Sequence, residues 1–257
     1  MNEWFDWSIV APPFVAGLLV LSTHVLLGRE VLKRGIIFID LAIAQIAVLG
    51  VIVAQLAGWS ESGWETQVAA LLAALSGAML LYSFEHFWPS QQEALIGISF
   101  VLAASGGLLL SANNPHGAEH LQELLTGQLL WVRWQQLQWM AALYTVILLL
   151  WTFMGHEGRK FYVLFSLAVT VSVQVVGVYL VFASLIIPAL IVRQLPNKKG
   201  LIIGYLVGSL AYGGGLLISS LYDLPAGPVV VWLLAVMAVK VHIMLSWLLK
   251  KSVQARG

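Results

Sequence analysis

The sequence of 257 residues contains no cysteine, and only 10% of its residues are charged. Without cysteine it can form no disulfide and no thiolate metal site, and it carries no thiol for redox chemistry. A soluble globular domain has about 25% charged residues, so the low charge excludes that class. The nucleotide-binding motif GxxxxGK[ST] and the signatures GxSxG and HExxH do not occur. The chain therefore has no P-loop with which to hydrolyse a nucleotide.

Hydrophobic residues make up 60% of the chain, and its mean hydropathy is +0.90. They form long runs, and about 20 apolar residues in a helix can cross a hydrocarbon core about 30 Å thick. We predict an all-α polytopic membrane protein with eight or nine transmembrane segments, folded as a single domain over residues 1–257. The segments are placed at 8–27, 36–58, 68–84, 94–112, 139–154, 161–179, 180–195, 201–221 and 228–249.

One apolar run, from Phe161 to Leu195, is too long for a single crossing at a rise of about 1.5 Å per residue. Gly177 and Pro188 are the residues within it that favour a break. We predict two elements that meet near the outer surface, with one of them a candidate half-helix. Such broken elements are tolerated where protein or a water-filled path covers the freed backbone.

The distribution of charge predicts the orientation of the chain. Lysine and arginine collect after the first, fifth and seventh segments and at the end of the chain, whereas acidic and tryptophan residues collect in most of the other connections. Cytoplasmic loops of membrane proteins are enriched in basic residues, and tryptophan favours the membrane interface. We therefore predict that the N-terminus lies outside and the C-terminus inside.

Asp40 and Gln45 are polar residues in an otherwise apolar segment. A charged side chain in the centre of a transmembrane helix costs about 2.5–3.5 kcal/mol, so an acid retained there is by default a functional candidate. A structural alternative is that Asp40 pairs with Lys240 in the last segment. Positions five apart on a continuous helix diverge by about 140°, so Asp40 and Gln45 face different neighbours. Gln45 either lines a transport path or hydrogen-bonds to another helix.

The connection after the fourth segment carries a second group of candidate metal ligands, His116, Glu119 and His120. Two imidazoles and a carboxylate suit zinc or another borderline divalent ion. We expect a helix to begin here at about Ala118, which leaves His116 in a turn. The alternative is a solvated acidic loop that meets a binding protein.

Five stretches of the sequence carry a family resemblance. In order, they are GREVLKRGIIFIDLAIAQIAVLG, EALIGISFVLAASGGLLL, LQELLTGQLLWV, VVGVYLVFASLIIPALIVRQL and YDLPAGPVVV. Together they resemble the permease subunits of metal-ion ABC importers, over nearly the whole chain. The resemblance implies a type II ABC importer-like permease that forms a homodimer in the lipid bilayer of a bacterial cytoplasmic (inner) membrane. It also implies a cytoplasmic ATPase subunit of the ABC type and an extracytoplasmic metal-binding protein as partners.

The sequence departs from the family pattern at two places. Where the family has an aspartate and a histidine, this chain has Leu41 and Gln45, with Asp40 one position away. The family's cytoplasmic docking stretch, which resembles FDPELAxxxG, is reduced to residues 154–160. Candidate contacts to the ATPase, which could equally be topology-setting charges, are Glu157, Arg159, Lys160, Arg29 and Lys33, and Gln174 is a candidate for lining the path.

The sequence therefore predicts the transport subunit of an importer for divalent metal ions, zinc first and then manganese or iron(II). The subunit is expected not to be an enzyme, since a separate ATPase supplies the energy, and we expect no permanently bound cofactor and no nucleic-acid partner. Asp40 would supply negative charge along the route of the ion. The alternatives are a membrane enzyme that uses none of the motifs named above, an ion-coupled secondary transporter that uses Asp40 as the coupling group, and a membrane scaffold that does not transport.

Overall fold

The computed structural model describes residues 7–60, 63–111, 117–154, 157–193 and 195–254, and these form a bundle of helices. Two short 3-10 turns, Pro89–Gln91 and Leu129–Trp131, join some of them. The ten α-helices of the described residues are α1 (Trp7–Arg34), α2 (Ile39–Leu56), α3 (Trp64–Phe87), α4 (Gln92–Ser111), α5 (Gly117–Thr126), α6 (Trp134–Met154), α7 (Arg159–Val176), α8 (Val178–Ile191), α9 (Asn197–Tyr222) and α10 (Ala226–Gln254).

Each of the nine predicted segments corresponds to one helix, so the prediction of an all-α polytopic membrane protein is confirmed. Among the described residues, seven helices are long and apolar enough to cross a membrane, namely α1, α2, α3, α4, α6, α7 and α9. Helix α5 is a short additional element, and it begins one residue before the predicted Ala118. The apolar parts of α8 and α10 are shorter, at Val178–Ile191 and Ala226–Val241.

The long run from 161 to 195 is divided as predicted, but at only one of the two candidate positions. Gly177 separates α7 from α8 with a φ of 80°, a conformation that favours glycine. Pro188 was the other candidate, and that prediction is wrong because Pro188 lies inside α8. With 14 residues, α8 is about 21 Å long at 1.5 Å per residue, which is shorter than the hydrocarbon core.

Small residues allow the helices at the centre of the bundle to approach closely. Gly17 and Gly28 of α1 lie against the ring of Tyr212 in α9 and the backbone of Leu185 in α8. Gly50 of α2 lies against Ala73 of α3. Lipid offers no hydrophobic driving force between helices, so such close packing is a main source of helix association in a membrane. Helices α3, α4 and α6 instead leave many apolar side chains exposed, as a lipid-facing surface does.

The two ends of the bundle differ and serve as reference points below. At one end, here called the glycine end, Gly127, Gly177 and Gly227 meet. At the other, here called the arginine end, Arg34 at the end of α1 binds acidic side chains. Helix α2 begins at the arginine end, so Asp40, its second residue, lies there.

Candidate functional site

A cavity of about 760 Å³ lies between α2, α4, α5, α8 and α10. Most of its wall is aliphatic or aromatic, and its polar side chains are those of Gln45, Tyr179 and Trp232. The apolar lining residues are Leu41, Val48, Phe100, Ala104, Leu108, Leu124, Leu125, Val178, Phe182, Ala183, Ile187, Pro228 and Val231. Both the short α5 and the short α8 border the cavity, so its wall includes the two least regular elements of the bundle.

Helix α2 presents one face to the cavity. Leu41, Gln45 and Val48 all line it, and their spacing of four and three residues puts them on one side of a helix. Gln45 is largely buried, with 7% of its surface exposed. Asp40 does not line the cavity, because one helix position turns its side chain by about 100°. The structure therefore does not bring Asp40 and Gln45 into one site.

The carboxylate of Asp40 is buried, with only 1% of the residue exposed. No side chain of the described residues donates a hydrogen bond to either oxygen, and the donors near them are the backbone N–H groups of Asp40 itself and of Leu41. The alternative partner Lys240 is exposed on α10, and Asp40 forms no ion pair in the described part of the chain. The proposed pairing of Asp40 with Lys240 is therefore absent.

The other predicted ligands stand apart from the cavity wall. Gln174 is partly buried in α7, just before Gly177, and is not a lining residue. His116 lies outside the described residues, and so do the side chains of Glu119 and His120, whose backbone belongs to α5. In the parts of the chain that the structure describes, no group of three or more histidine, aspartate or glutamate residues could hold a metal ion.

The five predicted ATPase contacts all lie at the arginine end. Arg159 begins α7, and its guanidinium carbon is 5.7 Å from the ring centre of Tyr82. Lys33 is exposed and bonds to Glu30 at 3.4 Å, whereas Arg29 packs against Gly200 at the start of α9. Exposed side chains around the start of α7 are those of Glu157, Arg159 and Lys160. Only residues 155–158 separate α6 from α7, so a docking helix cannot fit between them.

Arg34 links three helices, α1, α3 and α7, at the arginine end. Its Nε is 3.2 Å from Glu30 in α1, and its Nη1 is 3.1 Å from Glu85 in α3. The guanidinium carbon lies 4.4 Å from the ring centre of Phe161 in α7. Nearby, the backbone N–H of Phe38 donates a hydrogen bond of 3.3 Å to Glu93 at the start of α4. Opposite charges and a ring face therefore hold this end together.

The glycine end is held together by backbone contact. Gly127 and Gly177 both have positive φ, and a Cβ on either one would overlap the backbone of the segment that carries the other. A Cβ on Gly227 would lie 2.5 Å from the carbonyl oxygen of Thr126. The end of α5, the break between α7 and α8 and the start of α10 therefore meet at one point, beside the cavity that all but α7 line.

The fold defines a polytopic helical membrane protein with an open, mostly apolar cavity beside a broken helix. The sequence model of the ABC 3 transport family matches residues 6–157 and 158–245. The chain therefore belongs to this family, and the resemblance to permease subunits of metal-ion ABC importers is confirmed. The match is divided between residues 157 and 158, which coincides with the shortened connection between α6 and α7. No curated protein sequence shows significant similarity to the chain.

Two solved structures have a similar fold. The first is described as PsaBC from Streptococcus pneumoniae in complex with Fab; it is 20% identical, with a TM-score of 0.73 over 91% of this chain and 90% of that one. The second is described as an inward-facing conformation of a putative metal-chelate type ABC transporter; it is 18% identical, with a TM-score of 0.62 over 90% of this chain and 85% of that one. At these identities the likeness concerns the fold.

Sequence reasoning found one lining residue, Gln45, and missed most of the others. Tyr179 and Trp232 line the cavity from α8 and α10, and nothing in their local sequence distinguishes them from the other aromatic residues of the chain. The three glycines of the glycine end, Gly127, Gly177 and Gly227, were recognisable in the sequence, because each belongs to one of the stretches that resemble the family. Nothing in the sequence indicates that the three stretches meet.

Proposed function

We propose that the chain is the permease subunit of an ATP-driven importer for a divalent metal, with zinc as the first candidate and manganese or iron(II) next. Two copies form the transport path between them in a bacterial cytoplasmic membrane. A separate ATPase supplies the energy, and an extracytoplasmic binding protein delivers the metal. Membership of the ABC 3 transport family is the observation that supports this proposal.

The cavity is the part of the chain that suits a transport path. Helix α5, which ends at the glycine end, and helix α8, which begins there, both border the cavity. A short helix next to a break can change its position without disturbing the ladder of a long helix. Rotation of these elements about the glycine end, whose backbone contacts stay in place, would open the cavity to one side of the membrane and then to the other. Binding of ATP to the partner would shift the populations of the two states.

The orientation of the path follows from the distribution of charge. The glycine end faces outside in this proposal, and the arginine end faces the cytoplasm, where basic residues collect. His116, Glu119 and His120, which come before the lining residues Leu124 and Leu125 in the sequence, are then candidates for metal capture on the outer side. At the other end, Arg29, Lys33, Glu157, Arg159 and Lys160 are available to the ATPase.

Asp40 has a separate role in this proposal, because it lies off the cavity wall. A carboxylate that is buried without a side-chain partner costs free energy, and such a cost is typical of residues kept for function. Asp40 lies in the first turn of α2, one position from Leu41 of the cavity wall. We expect it to supply negative charge at the cytoplasmic end of the path in a second conformation, where Gln174 also contributes.

Purification of the chain with its native partners tests the proposal. The expected result is a co-purifying protein that hydrolyses ATP, together with ATP-dependent uptake of radioactive zinc, manganese or iron(II) into vesicles that contain the complex. If no ATPase accompanies the chain, or if a protonophore rather than removal of ATP stops uptake, the proposal is wrong. The second result would favour a secondary transporter.

A pair of variants in α4 tests the position of the path. Ala104→Trp places a large ring in the cavity, and we expect it to reduce ATP-dependent uptake severely. Leu109→Trp introduces the same ring on the exposed face of the same helix, where Leu109 is 76% exposed, and should leave uptake near its original rate. Equal effects of the two substitutions at equal protein levels would show that the cavity is not the path.

A further inference from the structure

The cavity has the composition of a pocket for a small organic molecule. Sites for such molecules are clefts of about 300–1,000 Å³ with mostly apolar walls and a few polar groups. This cavity has a volume of about 760 Å³, and Gln45, Tyr179 and Trp232 are the polar side chains in its wall. It contains no carboxylate, imidazole, thiol or amine among its described lining residues.

Such a wall offers few ligands to an uncoordinated divalent ion. Zinc takes about four nitrogen, sulfur or charged oxygen ligands, and manganese and iron(II) take imidazole, carboxylate and water. An amide oxygen from Gln45 is a weak ligand for these ions.

The ionisable group closest in sequence does not remedy this lack. Asp40 precedes the lining residue Leu41, but its carboxylate is buried away from the cavity. On the wall itself, Leu41 and Gln45 occupy the positions where a carboxylate and an imidazole would form a pair at i and i+4 on one helix face. Two positions of the wall are therefore suitably spaced for a pair of metal ligands, but Leu41 and Gln45 are not strong ligands for these metals.

We propose that the metal crosses this cavity as a complex with a small organic ligand rather than as an uncoordinated ion. The organic ligand fills the coordination sphere of the metal and lowers its net charge. The complex then presents carbon and neutral polar atoms to the apolar wall, and Gln45 and Tyr179 orient it through hydrogen bonds. This inference depends on the proposed function, since it concerns the form in which the proposed cargo moves.

Uptake by whole cells at a fixed concentration of free zinc tests the inference. Cells that express the chain and cells that lack it receive radioactive zinc buffered with histidine, citrate or nitrilotriacetate, so that the complex increases while free zinc stays constant. We expect the difference in uptake between the two strains to rise in proportion to at least one complex. Radioactive ligand should enter with the metal in the stoichiometry of that complex.

The outcomes separate the inference from the proposed function. Uptake that follows free zinc with all three ligands overturns the inference and leaves the proposed function intact. The same series with manganese and iron(II) follows if zinc does not enter, and the absence of chain-dependent uptake for all three metals overturns both.

A double substitution on the cavity wall provides a second test. Leu41→Asp with Gln45→His installs a carboxylate and an imidazole, and uptake by this variant should follow free zinc. The control, Leu41→Asn with Gln45→Asn, has a polar wall without strong zinc ligands and should not acquire that dependence. If the ligand-bearing variant reaches the membrane and transports with the original dependence, the cavity does not select the form of the cargo, and the inference is wrong.

Discussion

The two ends of the bundle hold their helices together by different means. At the glycine end, the backbones of three connections touch, and there is no space for a Cβ between Gly127 and Gly177. At the arginine end, one long side chain, that of Arg34, reaches Glu30, Glu85 and the ring of Phe161. The first end depends on shape and the second on charge.

This difference has consequences for what each end tolerates. Close backbone contact has no flexible part that can yield, so any added atom must move a helix. A guanidinium on a flexible stem can follow small movements of its partners and re-form its contacts. The arginine end can therefore shift while it stays connected, as the proposed contact with an ATPase would require. The glycine end keeps its geometry and acts as a fixed point.

The largest effect is expected at the glycine end. Gly177→Ala would place a Cβ against the backbone of Gly127 and Thr126, at a residue with a φ of 80°. Backbone strain and overpacking together should lower the free energy of unfolding by about 3 kcal/mol or more. Thermal unfolding of the purified protein in detergent measures this loss.

Gly35→Ala is the matched control, because Gly35 has a φ of 72° but nothing within 4 Å of its added Cβ. It isolates the cost of the backbone conformation, and we expect a loss of about 1 kcal/mol. Should Gly177→Ala prove no more harmful than Gly35→Ala, the glycine end is not held by close contact.

A smaller effect is expected from Arg34→Met at the arginine end. The change removes the guanidinium and leaves the largely buried carboxylate of Glu30 without its 3.2 Å partner. We expect a loss of about 2–3 kcal/mol, below that of a fully buried ion pair because Arg34 remains 16% exposed. The same unfolding measurement applies, and high salt should reduce the difference only slightly.

The neighbouring residue offers a control with the same partner. Lys33 also binds Glu30, at 3.4 Å, but its side chain is 63% exposed. Lys33→Met should therefore cost less than about 0.5 kcal/mol. A similar loss for both substitutions would mean that removal of any positive charge, and not the position of Arg34, destabilises this end.

A small change in stability is also expected for Asp40→Asn, but as a gain and not a loss. Asp40 lies at the arginine end without the cation that Glu30 and Glu85 have. The exchange of a buried carboxyl group that has no side-chain partner for a neutral amide should raise the free energy of unfolding by about 1 kcal/mol. Metal uptake should nevertheless collapse, since stability and activity often oppose each other at a functional group.

Two results would contradict this expectation in different ways. A marked loss of stability in Asp40→Asn would reveal a structural role for the carboxylate. Uptake that continues at the original rate in a stable variant would mean that Asp40 does not act in transport. Ala44→Ser, one turn further along the same buried face of α2, serves as the control for a small polar change at this helix interface.

Sequence reasoning predicted the helices well because each crossing of a membrane leaves a local signal. A run of apolar residues can be recognised without knowing which helices it packs against. The need for a break near Gly177 follows from the run of residues 161–195 being too long for one crossing. Pro188 shows the limit of this method. The residue favours a break, yet α8 continues through it and packs mainly against α1 and α10.

The site was less predictable, because its residues come from five helices. Gln45 was recognisable as a polar residue in an apolar segment, but Tyr179 and Trp232 resemble many other aromatic residues of the chain. Asp40 carried the stronger signal and lies off the cavity. Polarity in an apolar run identifies an unusual residue, whereas only the rotation of α2 against its neighbours decides which side of the helix faces the cavity.

The sequence alone determined that this chain is a helical membrane protein without a nucleotide-binding motif, and that its apolar run from 161 to 195 is divided. The length of an apolar run, the position of a glycine and the absence of a P-loop are all local properties. Only the tertiary structure decided that Leu41 and Gln45 face a cavity, that Asp40 is buried without a cation, and that three distant glycines share one junction. These facts depend on how helices far apart in sequence pack against one another, and packing is a property of pairs of surfaces rather than of any single segment.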